Sequence, residues 1–105
     1  MMIDYTQVKI TNIDFAADGH DEIYQNLTTL YTTPEGSVPF DRNFGININS
    51  LDSPIPLAQG RLIVEYFEKT KRYEPRAAVK EVDFEANLQN GHLIPKVVIN
   101  IVAET

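Results

Sequence analysis

Between residues 82 and 88 the chain alternates strictly: Val82, Phe84, Ala86 and Leu88 are apolar, while Asp83, Glu85 and Asn87 between them are polar. A period of two describes a strand with one wet face. Asn90-Gly91 follows, the strongest short hairpin signal, because a type I′ turn needs positive φ at both central positions. The return strand runs through Val97, Ile99 and Ile101, and Pro95 near its start marks an edge position or a bulge.

Upstream the period lengthens to that of a helix. Asp18 is placed to cap a helix reaching about residue 32, with Asp21 and Glu22 in its first turn, where acids suit the helix dipole. Ile23, Leu27, Leu30 and Tyr31 then share one face. Ser53 and Pro54 read as a second start signal, a cap followed by a first-turn proline. That helix extends to about Arg72, with Leu62, Ile63, Tyr66 and Phe67 as its buried face. Pro75 cannot continue it and biases Glu74 away from helical angles. Between the helices, Pro34, Gly36, Pro39 and Gly45 punctuate an ordered loop. The first 17 residues, with Val8, Ile10 and Ile13, read as a strand or extended arm. The expected fold is therefore one α+β domain over residues 1–105: a small antiparallel sheet with a C-terminal β-hairpin, packed on one face by two helices.

Composition narrows the functions open to this domain. With 105 residues, the chain makes one modest core. A formal net charge of −6 argues against a nucleic-acid partner and favours partners that present basic patches. Cysteine is absent, which excludes disulfides and thiolate metal sites. His20 and His92 lack metal-ligand spacing and read as surface residues, so neither a metal nor another cofactor is expected. No signal peptide or membrane span is evident.

The segment "KTKRYEPRAAVKEV" carries the most pointed chemistry, an acid, a rigid proline and a base at a helix-to-strand junction. Glu74 has two roles open to it, hydrogen bonding the turn or positioning Arg76. Arg76 is a planar five-donor fork that either braces the turn or reaches a partner's carboxylate or carbonyl. Phe40 and Phe44 read as core anchors for the long loop, or else as exposed partner anchors. Gly45 calls for a conformation or a close approach that a side chain would block.

In order along the chain, "NLTTLYTTPEGSVPFDRNFG", a helix, "RYEPRAAV" and a strand hairpin resemble the baseplate wedge family of contractile injection machines. That family includes a small T-even phage wedge protein, the type VI secretion baseplate subunit and relatives in tailocins and extracellular contraction systems. The resemblance spans about residues 20–103. Where the family often has a basic residue after the turn glycine, this chain has Ser37 and Val38, so no contact by such a side chain carries over.

The resemblance implies a structural subunit assembled in the cytoplasm into a tail or injection-machine baseplate. Its Glu74-Pro75-Arg76 junction, with Phe44 and Gly45, would dock onto wedge core-bundle subunits. Its sheet would template the first ring of sheath protein. We place the sheath contact on the last strand, through Val97, Ile99 and Ile101, expecting that strand at a sheet edge. The family also carries a lysozyme-like tradition, which requires two carboxylates about 5 to 9.5 Å apart in a sugar-holding cleft. Glu65 and Glu68 lie at i, i+3 but read as a solvated helix face beside Lys69 and Lys71. Glu35 reads as a solvated turn-tip acid, and Arg76 would keep Glu74 ionised, the wrong state for a general acid. No catalytic residue is expected.

Overall fold

The computed structural model describes residues 2–12, 21–49, 53–89 and 91–101. Among them the elements are β1 (Met2–Ile3), a 3-10 turn (Tyr5–Gln7), β2 (Lys9–Asn12), α1 (Asp21–Thr32), α2 (Ile55–Tyr73), β3 (Ala77–Asn87) and β4 (His92–Ile101). This is the expected α+β domain, with both helices contributing to one core against the sheet. The capping role read for Asp18, and Ile13 and His20, lie outside the described residues.

α1 buries the predicted face: Ile23, Leu27, Leu30 and Tyr31. α2 starts one residue later than expected. Pro54 occupies the N-cap position and no side chain caps the helix, so Ser53 does not cap it. Prolines at 54 and 56 lack amide donors, which removes part of the need that a cap would satisfy. The buried stripe of α2 is Ala58, Leu62, Tyr66, Lys69 and Thr70. Steps of four from Ala58 to Thr70 turn Phe67 outward, and it is exposed rather than buried. The Tyr31 and Tyr66 rings meet edge to face at 4.7 Å, and the Tyr31 and Thr70 hydroxyls hydrogen-bond one another. Burial pushes the Tyr31 hydroxyl up to about 12. The Tyr66 hydroxyl is buried without a partner.

The sheet is mixed rather than wholly antiparallel. β3 and β4 form the antiparallel hairpin, whereas β1 and β2 both run parallel to β4 along its other side. β4 is consequently the central strand, which corrects the expectation that it lies at an edge. Its Val97 and Ile99 are buried and Ile101 is half-buried against the core. Pro95 is tolerated there for a local reason. The Leu93 carbonyl accepts from the Asp4 amide at 2.8 Å, so two residues on, the missing amide of Pro95 faces the same side. The turn Tyr5–Gln7 interrupts the neighbouring strand between β1 and β2, so no ladder partner is lost.

β3 holds a bulge. Val79 pairs with Ile99 but Glu81 pairs with Val98, leaving Lys80 extra. The bulge lets Ala77 and Val79 face the core on odd positions while Val82 and Phe84 face it on even ones. Ala86 and Leu88, expected to continue that face, are exposed. Asn87 pairs with His92, so four positions join the strands rather than the two of a type I′ turn, and Asn90 itself lies outside the described residues. Leu88 therefore lies in the loop. Gly91 supplies positive φ, and its amide closes onto the Asn87 carbonyl at 2.9 Å.

Candidate functional site

The chain leaves α2 through Glu74, whose amide still donates to the Thr70 carbonyl at 2.9 Å. Pro75 forces Glu74 out of helical angles, to φ −140° and ψ 72°. The Ala77 amide then donates to the Glu74 carbonyl at 3.0 Å, closing the turn that feeds β3. Only 4% of Glu74 is exposed. Its carboxylate accepts from Arg76 Nε at 2.7 Å, Arg76 Nη2 at 3.0 Å and Asn26 Nδ2 at 3.0 Å. Arg76 also faces Glu22 Oε1 at 3.7 Å. The fork thus folds back onto its own motif and ties the α2 exit to α1. The Arg76 hydrogen bond is the largest influence on Glu74, and with Asn26 it outweighs burial and holds the carboxyl below the ordinary glutamate range. Pro75 is exposed and Arg76 about a third exposed.

Phe44 belongs to the same place. A cleft of about 180 Å³ is lined by Asn26, Thr29, Leu30, Phe44, Tyr73 and Glu74. Phe44 and Tyr73 meet edge to face at 5.1 Å, and the Tyr73 hydroxyl donates to Asp41 Oδ1 at 2.9 Å. Gly45 turns the chain beneath them. Its φ is +106°, and a Cβ there would collide with the Thr33 carbonyl oxygen. That close approach lets Ile46 and Glu35 exchange backbone hydrogen bonds with Thr33 and Ile46. Phe40, by contrast, is wholly exposed and anchors nothing in this chain.

Of the sequence-derived site residues, the structure brings Glu74, Pro75 and Arg76 together with Phe44 and Gly45. It leaves Val97, Ile99 and Ile101 apart. The first two are core residues, and β4 is paired on both sides within its own chain. A strand without a free edge cannot accept another along its backbone, so the sheath contact placed there is withdrawn.

Sequence reasoning missed Lys69. Its side chain is buried against the long loop, with Nζ donating to Glu35 Oε2 at 2.6 Å and to the Asn43 carbonyl. Glu35 is accordingly an ion-pair partner, not a solvated tip. Its place in the Leu62–Tyr66 stripe hinted at burial, but the partners that make burial possible lie 34 and 26 residues away.

Glu65 differs from its expected solvated state as well. It lines a groove of about 410 Å³ with Asn47, Pro56, Leu57, Gly60, Arg61, Val64 and Glu68. One of its carboxylate oxygens is buried without a partner. Burial raises its pKa; Lys69 opposes this, and Glu35 and Glu68 add to it.

Among the described residues, no group of three or more His, Cys, Asp or Glu is arranged to hold a metal, and no helix is long and apolar enough to cross a membrane. Comparison with family models, curated proteins and solved structures finds no match. The family resemblance rests on the order of the motifs alone.

Proposed function

We propose that this chain is a structural docking subunit of the baseplate-wedge kind, binding wedge core-bundle subunits through the Glu74-Pro75-Arg76 junction. The observation that supports it most is the state of that junction. A proline-fixed turn, cross-tied to α1 and flanked by the Phe44–Tyr73 cleft, is a rigid platform whose outer parts, Pro75 and about a third of the Arg76 side chain, reach solvent. A turn held this rigidly can dock a partner at low entropic cost. A sheath contact, as the resemblance implies, would use the outer edge of β3, where no described strand pairs.

Co-expression with the core-bundle subunits tests the reading. The wild-type chain is expected to co-elute with them, and Arg76→Ala to reduce capture per folded molecule about ten-fold or more. Equal capture at a lowered melting temperature would make Arg76 a brace and nothing else.

One observation favours a lysozyme-like second reading. Burial shifts the Glu65 pKa upward, the direction a general acid needs, and Glu65 shares a groove with Glu68. We rank it second because both acids project from one helix, whereas a glycosidase flanks the scissile bond from two sides. Peptidoglycan clearing by the purified chain that disappears in Glu65→Gln would reverse the ranking.

A further inference from the structure

The outer face of α2 carries a second apolar stripe, opposite the one that builds the core. Leu57, Gly60, Val64 and Phe67 follow one another in steps of three and four, and Leu57, Val64 and Phe67 are all exposed, Val64 at 53%. A surface helix is expected to be polar there. Gly60 sits mid-stripe with open space around it, so another backbone can come close. The groove beside it is lined by the apolar Leu57 and Val64 together with Arg61, Glu65 and Glu68. Glu65 brings to that lining a buried carboxylate oxygen with no donor.

We propose that this groove receives an amphipathic helix from a different protein. Its apolar side chains, at i, i+3 or i+4 and i+7, seat along Leu57, Gly60 and Val64, while a flanking Lys or Arg reaches Glu65 and Glu68. The shape argues for a helix because the stripe has helical period and a glycine at its centre, the arrangement that lets two helix axes approach. Charge decides the kind of helix. The chain carries a net charge of −6 and the groove two glutamates against one arginine, Arg61. A second copy would bring acid to acid, whereas a basic helix would face Glu65 and Glu68 with opposite charge. A small polar ligand is poorly served, since Arg61 and Asn47 are the lining side chains with donors. The inference rests on the docking reading above but uses a different face of the molecule, away from Arg76.

The test uses the whole chain and two synthetic amphipathic peptides with the same leucine seam, one flanked by lysines and one by glutamates. Anisotropy titration is expected to show saturable binding of the lysine peptide and binding weaker by about ten-fold or more for the glutamate peptide. Val64→Asp lies at an exposed site, and circular dichroism checks its fold. It should abolish the difference, and Glu65→Gln with Glu68→Gln should narrow it. Equal binding of the two peptides, no binding of either, or undiminished binding by folded Val64→Asp would overturn the proposal. Sedimentation showing a dimer that Val64→Asp dissociates would overturn it in favour of a second copy. With the core-bundle subunits, Val64→Asp capturing normally while Arg76→Ala fails would sink the groove and leave the docking function standing. Loss in Val64→Asp with normal capture by Arg76→Ala would do the reverse.

Discussion

Glu65 and Glu74 leave the same helix, and their surroundings treat them in opposite ways. At the exit of α2, Glu74 is surrounded by donors: two from Arg76 and one from Asn26. In the middle of the outer face, Glu65 is partly buried beside other acids and keeps one oxygen without a donor. The motif that looks most like a recognition element spends most of its hydrogen-bonding capacity on itself. The unremarkable-looking helix face keeps capacity in reserve. Charge-rich sequence motifs therefore mark where a fold is fastened as readily as where it binds, and only the count of satisfied partners tells the two apart.

The sharpest way to break this contrast is to remove the fastening. Glu74→Ala removes the acceptor shared by Arg76 and Asn26 and should cost about 3 kcal/mol in urea unfolding, the upper end for losing charge-assisted hydrogen bonds. A loss below about 0.5 kcal/mol would mean that the junction holds nothing together. Gly45→Ala, which forces a side chain into a positive-φ position against the Thr33 carbonyl, should cost about 2–3 kcal/mol by the same measure.

A pH series sharpens the comparison further. Glu74 has a lowered pKa in the fold, so its contribution is present above the unfolded value and lost as the pH falls through the folded one. Glu65 has a raised pKa, so the fold is relieved of its cost below the unfolded value and bears it as the pH rises through the folded one. At neutral pH, Glu74→Gln should therefore destabilise and Glu65→Gln stabilise. Both differences should shrink in acid. Same-sign effects at neutral pH would erase the distinction between the two sites. Tyr66→Phe, which deletes a buried hydroxyl without a partner, should be neutral or stabilise by up to about 1 kcal/mol. Val64→Asp should change stability least, within about 0.5 kcal/mol, because that side chain already faces solvent.

The helices were legible because each obeys a local rule. The stripe Ile23, Leu27, Leu30 and Tyr31 is periodic, and Pro75 stops α2 by its own ring geometry. Gly45 was legible as a constraint, although not as the contact to Thr33 that explains it. The sheet was not legible beyond its hairpin. That β4 lies between β3 and the broken strand β1–β2 is a pairing between distant segments, and no local periodicity encodes which strand sits in the middle. Pro95 pointed to an edge because an interrupted neighbour strand cannot be seen from one sequence. In the candidate site, the trio Glu74, Pro75 and Arg76 was visible, but Asn26 and Lys69 were not. Both act across long separations, and a buried lysine resembles a solvated one until its partner is known. Glu65 was misread for the same reason, since its environment comes from the groove and not from its sequence neighbours.

The central place of β4 also sets an order of events during synthesis. Among the described residues, the N-terminal strands β1 and β2 pair with no strand but β4, so they emerge from the ribosome long before the segment that will hold them. Until residues 92–101 have been made, neither sheet nor hairpin exists, and the helices have only one another, the Tyr5–Gln7 turn and an unpaired β3 to pack on. Such long-range closure is slow relative to helix formation and leaves apolar surface uncovered in the interval. A nascent chain halted just before β4 would thus be a helical, sheet-less species with Ile3 and Ile10 waiting for Leu93 and Val97, a natural client for a chaperone.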